Sequence, residues 1–438
     1  MMLDEVTYSG EWWIPSNPEK RISGKLTFNQ DNGAILELVE PFSEPYKTIF
    51  GKNQFGIQMT LLECFPLSLN MPGSSYKILG QFFLFGAHFE NKQDALFDSF
   101  YCQISHLNDW ILKSGLKIEN EFSKNIVIKF DCPDTISIMI SPDLKMDIEF
   151  QPLFSTNRND SEIKLKQVTQ ISFHPTAKIN LDEYLNLMHH FRNFLCLITQ
   201  ETVFPQKISG IVKNAPMPLV NIFYRLDATT NVRTNVYNPL IEFKDIESVF
   251  EICLQNWYRK YHDLEPVFTL YSGTHYGRFV YLNLRFLCLV QALEAYHRRF
   301  ILERELPQKE HNERITSILD SAPSIHVDWL KEKLEFSNEP SLLKQLNDIY
   351  KKFAKEPMYL FLGDEVFTKK VKDTRHYLTH YDKKLKKKAA HGNELYNITE
   401  KVKILVELCL LREMGLSMEE ISKFTRQKYV QRLNNLAI

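Results

Sequence analysis

A chain of 438 residues, 44% hydrophobic and 24% charged, has the length for two or three domains and the balance of a folded, soluble protein. That excludes a disordered scaffold and a collagen-like or low-complexity chain. The formal net charge of -1 excludes a global pull toward nucleic acid or membrane, yet it averages unlike parts: residues 241–438 hold 32 Lys+Arg against 28 Asp+Glu, or +4, and residues 1–240 hold 21 against 26, or -5. The seven cysteines form no CxxC pair and read as buried thiols of a reducing compartment, not a disulfide frame or zinc site. The opening MMLDEVTYSGEWW lacks the basic and apolar regions of a signal peptide. The most apolar run, Phe286–Leu293, is far shorter than the roughly 20 residues a bilayer requires. These features predict a soluble, cytoplasmic protein with no membrane partner.

In chain order, the first 180 residues read mainly as strands. Aromatic and β-branched segments lie at Lys25–Asn29, Ala34–Glu40, Ile57–Phe65, Lys77–Phe89, Ile126–Phe130, Thr135–Ile140, Asp147–Pro152 and Gln167–His174. Turn signals such as Asp31-Asn32-Gly33 and Ser141-Pro142-Asp143 separate them, which predicts an antiparallel sandwich or barrel. Leu181, Tyr184, Leu185, Met188, Phe191 and Leu195 follow helical spacing, so one helix packs on this β module. Residues 200–240, with four prolines, read as irregular.

From Ile241 onward the pattern is helical. Ile246, Val249, Phe250, Cys253, Leu254 and Trp257 form one apolar stripe, and Phe279, Leu282, Phe286, Leu289, Leu293, Tyr296 and Phe300 form a longer one. Further helices are expected near Glu310–Leu319, Val327–Phe336, Leu342–Phe353, Glu365–Tyr381, Ile398–Met414 and Met418–Leu433, with Ser417 and Glu420 as a capping box for the last. The expectation is an α+β chain of two domains: residues 1–240, β-rich with a packed helix, and residues 241–438, an all-α bundle.

No GxGxxG, Walker A, GxSxG or HExxH motif occurs. The unusual patch is KKVKDTRHYLTHYDKKLKKK, Lys369–Lys388. Phe367, Val371, Thr374 and Leu378 mark the core face of its helix; Arg375 lies at the border of that face, and His376 and His380 lie on the exposed side. Histidine takes and returns protons near neutral pH. Arginine offers a fork of donors matched to phosphate oxygens. Together they suit RNA cleavage without a metal or other cofactor: a base removes the 2′-hydroxyl proton, that oxygen attacks phosphorus, and a cation stabilises the charge on the phosphoryl oxygens. Lys372, Lys383, Lys384 and Lys386 are candidate phosphate contacts, the alternative being an ordinary solvated face. Five residues separate Arg375 from His380, about 140° around an ideal helix. Either the helix is distorted near its end, or two copies pool the side chains across a two-fold axis.

Arg375-His376-Tyr377-Leu378-Thr379-His380 resembles the R-φ-x3-H motif of HEPN domains, with His376 at the polar φ position. VQALEAYHRR (Val290–Arg299), followed by DTRHYLTHYD, is similar to the HEPN domain of ApeA-type anti-phage proteins. GEWWIPSNPEKRISGKLTF (Gly10–Phe28) and HHFRNFLCL (His189–Leu197) resemble the N-terminal domain of that family. The resemblance implies a metal-independent endoribonuclease of an abortive-infection system, acting as a homodimer through its HEPN domain. It makes Arg375 and His380 the catalytic pair, His376 the polar motif residue, RNA (tRNA among the candidates) the substrate, and the N-terminal domain the sensor of an unknown phage-derived trigger. Asp382 stands where some HEPN toxins carry a tyrosine, so regulation through such a tyrosine is not expected.

Alternatives remain at this level. A non-catalytic module could hold a nucleotide, an RNA or a protein with the same residues. Zinc on His376 and His380 lacks a third ligand, so no metal is expected. Glu294 could pair with Arg375 or, one turn along its own helix, with Arg298; the local pairing is the preferred reading. Trp12, Trp13, His189, His190 and Arg192 read as packing and domain-interface residues.

Overall fold

The computed structural model describes residues 5–67, 76–121, 125–157, 162–225, 238–276, 281–301, 304–353 and 366–434. It divides into two compact units, Met1–Tyr258 and Arg259–Ile438.

The first unit is built on strands β1 (Val6–Trp13), β2 (Ile22–Asn29), β3 (Gly33–Leu38), β4 (Thr48–Asn53), β5 (Gln58–Pro66), β6 (Tyr76–Phe85), β7 (Leu96–Phe97) and β8 (Ser99–Ile104). After the short helix α1 (Leu107–Ile111) come β9 (Leu116–Glu121), β10 (Asn125–Phe130), β11 (Ile136–Ser141), β12 (Leu144–Asn157), β13 (Glu162–Pro175) and β14 (Ile179–Asn180). Helix α2 (Leu181–Thr199), β15 (Pro205–Ile211) and β16 (Leu219–Tyr224) follow. One large antiparallel sheet runs β11-β12-β13-β8-β15-β16-β6-β3-β2-β1-β4-β5, and an added β5–β6 pairing closes its last six strands into a barrel. Strand β6 makes this possible. Its first half pairs with β3, its second half with β16, and its other edge with β5.

Barrel closure requires tight packing at the corner. Trp12 is fully buried beside Leu26, Leu36, Ile49 and Leu61. Its ring lies over Gly51, where a Cβ would stand 2.4 Å from Trp12 Cε3, so only glycine fits under the indole. Helix α2 begins with a complete capping box between Asn180 and Glu183. It buries Tyr184, Met188, Phe191 and Phe194, with the Tyr184 ring stacked on Phe100 at 4.7 Å. Trp110 anchors the end of the unit, donating from Nε1 to the Ile241 carbonyl at 2.9 Å and meeting Phe194, Phe243 and Phe250 edge-on.

Each of the eight segments expected from the sequence contains a strand, with β3 ending at Leu38 and β6 at Phe85, short of the expected Glu40 and Phe89. Residues 200–240, read as irregular, instead contain β15 and β16. Pro205 takes the first position of its strand, and Pro216 and Pro218 precede β16, so none removes an interior ladder bond. The cysteines are free, six of them buried or half-buried; Cys132, against expectation, is exposed.

The second unit is helical, as expected. Helix α3 (Phe243–Ile246) still belongs to the first unit, and the division falls inside the next helix, α4 (Phe250–Tyr276). Then come α5 (Leu282–Tyr296), running into a π-helical turn His297–Ile301, and α6 (Gln308–Asp320), α7 (Val327–Leu334), α8 (Leu342–Phe353), α9 (Val366–His380), α10 (Gly392–Glu413) and α11 (Met418–Asn434). Helix α10 is the axis of the bundle and buries nearly its whole circumference. Its inward charges are all answered. Arg285 meets Glu400 at 2.7 Å, Lys260 and Tyr296 bond Glu413, and fully buried Glu407 accepts from Tyr271 Oη at 3.0 Å and from Arg432 at 2.9 Å. Burial first, and the Arg432 charge among its neighbours, push the Lys403 ammonium down to about 8 despite the nearby carboxylates. The apolar stripe on α5 is core, with Phe286, Leu289, Leu293 and Tyr296 fully buried; its first expected member, Phe279, lies outside the described residues. Ser417 and Glu420 form the expected capping box, Glu420 N to Ser417 Oγ 3.2 Å and Ser417 N to Glu420 Oε2 2.7 Å. No helix among the described residues is long and apolar enough to cross a membrane.

Candidate active site

The patch singled out in the sequence lies on α9 and the turn after it. Phe367, Val371, Thr374 and Leu378 recur at steps of four, three and four and are buried, which holds the helix against the bundle. Thr374 Oγ1 donates back to the Lys370 carbonyl at 2.7 Å and accepts from the Ala390 amide at 2.9 Å, so the returning chain is pinned to the helix middle. The helix stops at His380 because Tyr381 adopts a left-handed conformation, φ 51°. Lys383–Lys388 then forms turns rather than continuing the helix, and Lys383, Lys384 and Lys386 are exposed there. Lys372 is half-buried and paired with its neighbour Asp373 at 2.9 Å.

Arg375 sits on the flank of α9, 30% exposed, and its NH2 lies 3.3 Å from Oε1 of Glu294 on α5. The preferred sequence reading, Glu294 paired with Arg298, is therefore corrected. The π-helical turn starting at His297 breaks the one-turn stacking that pairing needs, and Arg298 bonds Glu339 instead at 2.8 Å. Arg375, Glu294, Arg298 and Thr379 line a groove of about 520 Å³ floored by Leu270, Leu287 and Ala295. His380 is not among its walls; it is exposed and, among the described residues, makes no hydrogen bond or ion pair. His376 is half-buried, and burial, with the Arg375 and Lys372 charges added, lowers its imidazole below the usual histidine value.

Helix α9 is α-helical from Val366 to His380, without distortion before its end. Within one chain, then, Arg375 opens into the groove while His380 stands at the helix terminus outside it. Four polar residues of VQALEAYHRR are committed to partners: Glu294 to Arg375, Tyr296 to Glu413, His297 to Asp348 and Arg298 to Glu339. The sequence pattern thus marks the side chains that hold α5 against its neighbours.

One group in the first unit has the makings of a cation site, which sequence reasoning missed because its members come from two strands. Asp147, Glu149 and His174 on β12 and β13 place ligand atoms within 4.8 Å of one another. Lys145 already meets Asp147 Oδ2 at 2.8 Å, and Ser172 and Gln170 donate to Glu149. These contacts occupy Asp147 Oδ2 and both Glu149 oxygens, while Asp147 Oδ1 is buried without a hydrogen-bond partner. Elsewhere in this unit Trp12 and Trp13 are buried packing residues, and Arg192 bonds Asn193. His189 and His190 are held down to about 4 by burial.

A β-barrel unit bearing a packed helix and a helical bundle that presents Arg-His-x3-His beside a charged groove make up a two-part chain. The family model described as ApeA N-terminal domain 1 matches residues 7–257, and the model described as Apea-like HEPN matches residues 287–420. The chain belongs to the ApeA N-terminal domain family and carries an ApeA-like HEPN domain, a composition associated with RNA-related nuclease activity. No curated protein and no solved structure matches it.

Proposed function

We propose that the protein is a metal-independent endoribonuclease of an anti-phage, abortive-infection system. The observation that carries this reading is Arg375, oriented by Glu294 at the lip of an open groove, with a solvent-facing His380 five residues on. Guanidinium donors suit the non-bridging oxygens of a phosphodiester. An imidazole suits removal of the 2′-hydroxyl proton. The oxygen so freed attacks the adjacent phosphorus, the bond to the 5′-oxygen breaks, and that oxygen takes a proton, leaving a 2′,3′-cyclic phosphate and a 5′-hydroxyl. Because α9 is undistorted, the two groups do not meet on one phosphate from a single chain; the reading therefore includes a homodimer in which Arg375 of one copy works with His380 of the other. His376 contributes a second imidazole on the exposed side of α9, and Lys372, Lys383, Lys384 and Lys386 supply phosphate contacts. Residues 241–438 carry the nuclease, and residues 1–240 sense a phage product and restrain it in the cytoplasm; tRNA is one candidate substrate.

The test is cleavage of total RNA in EDTA by the purified full chain, isolated from infected and uninfected cells. Cleavage giving cyclic phosphate ends is expected, lost on Arg375→Ala and on His380→Ala with the fold intact. Equal cleavage by both variants would overturn the assignment. A second reading, non-catalytic holding of RNA or nucleotide, is favoured by the separation of Arg375 from His380 within one chain. It predicts binding that the same variants lose, with no turnover under any condition.

A further inference from the structure

A second cavity in the bundle is absorbed by none of this. It encloses about 470 Å³ beside the π-helical turn and the α6–α7 hairpin, a volume in the range of small-molecule sites. Three residues of its wall, Arg304, Glu335 and Phe336, point to one kind of ligand. Arg304 and Glu335 both line it, and neither makes a hydrogen bond or ion pair among the described residues, with each other or with any neighbour. Phe336, next to Glu335, leaves 64% of its surface exposed at the same wall. Gln345 is buried to 4% exposure; its Nε2 donates to the Pro340 carbonyl at 2.9 Å, which fixes the sense of the amide and leaves Oε1 buried with no donor. Arg298 lines this cavity and the Arg375 groove alike, so the two are neighbours along one wall.

We infer that this cavity receives a guanine base. A flat ring stacks on an exposed phenylalanine, the usual way a protein holds an unpaired base. Guanine presents two adjacent acceptors, O6 and N7, which match the arginine fork. Its other edge presents two adjacent donors, N1–H and N2–H, which match a carboxylate. An unpaired guanidinium and an unpaired carboxylate in one cavity are complementary to that base. Adenine sets an amino group where the fork needs an acceptor and offers no donor pair, and uracil has a single N–H. The source of the base is either the RNA strand that occupies the Arg375 groove, in which case the cavity sets sequence preference and the inference rests on the nuclease reading, or a free guanine nucleotide.

Calorimetric titration of the full chain with GMP, IMP, AMP and UMP tests the recognition without any cleavage. GMP is expected to bind about ten- to a hundredfold tighter than AMP, the span of one good bidentate contact, with IMP between them because it lacks the N2 amine. Glu335→Gln is expected to erase the preference for GMP over AMP, and Phe336→Ala to weaken every nucleotide; both positions are exposed, and unchanged melting checks the fold. Equal affinity for GMP and AMP, or wild-type binding in both variants, overturns the inference. In a second arm, RNA oligonucleotides with a single guanosine replaced by adenosine or inosine are cleaved: cut positions that follow the guanosine and lose that dependence in Glu335→Gln assign the base to the RNA. GMP binding with cut positions indifferent to guanosine assigns it to a free nucleotide. GMP binding with no cleavage of any RNA sinks the nuclease reading and leaves the cavity assignment standing.

Discussion

Helices α9 and α10 of the same bundle both carry charge, and they treat it in opposite ways. On α10, fully buried Glu407 is met by Tyr271, Arg432 and Lys403. On α9, Arg375 has one carboxylate partner at 3.3 Å and opens into a groove, while His380 has none among the described residues. Buried charge that is fully answered fixes the register of a core and is unavailable to a substrate. Charge with an open side is available. The contrast separates charge committed to the core from charge open to a ligand without appeal to any motif.

The comparison can be broken from either end. The largest effect belongs to α9: Arg375→Ala or His380→Ala should lower RNA cleavage by at least about a hundredfold, the scale of a lost acid-base or electrostatic group, while urea midpoints stay at the wild-type value. A midpoint that falls with activity would return these residues to the scaffold. Next comes α10, where Glu407→Ala strands Arg432 and Lys403 in the interior and should cost about 3–5 kcal/mol by denaturant titration. A loss below ~1 kcal/mol would show the network to be dispensable. Glu294→Gln is smaller and more telling. It keeps an acceptor for Arg375 but removes the charge, so the rate should change by no more than about tenfold, with KM for RNA unmoved and melting unmoved; a change confined to KM would place Glu294 on substrate instead. The smallest effect lies in the first unit. His189 and His190, held to about 4 when folded, bind protons more readily in the unfolded chain. Their contribution is thus complete above about 6.5 and is lost as pH falls toward 4. Melting scans across that window should show a flatter acid slope for His190→Phe than for wild type, and an equal slope would remove the histidines from the explanation.

What the sequence revealed, and what it hid, follow from the range of the interactions involved. Strands such as β2, β3 and β12 alternate side chains locally and announce themselves. Strands β1 and β4 announce themselves less, because each carries a glycine dictated by the other: a Cβ at Gly10 would stand 2.3 Å from the Lys52 carbonyl oxygen, and one at Gly51 2.4 Å from Trp12 Cε3. Prolines near β15 and β16 masked ladders they do not interrupt. At the candidate site, the face of α9 and the border position of Arg375 were legible from helical period alone. Its partner was not. Glu294 has Arg298 four residues away, and only the π-helical turn, a tertiary adjustment that turns Arg298 toward Glu339, leaves the carboxylate to Arg375. Phe336, Glu335 and Arg304 went unnoticed for the same reason, since a cavity gathers residues distant in sequence.

The claim on which the account turns is that one guanidinium and one imidazole from separate copies act on the same phosphodiester. Co-expression of differently tagged Arg375→Ala and His380→Ala chains, followed by RNA cleavage in EDTA, tests it directly. Each variant alone should be inactive, and the mixture should recover about a quarter of wild-type activity, since half of randomly paired dimers rebuild one of two composite sites. A mixture as inactive as its parents, with dimers of both chains demonstrably present, would contradict the account.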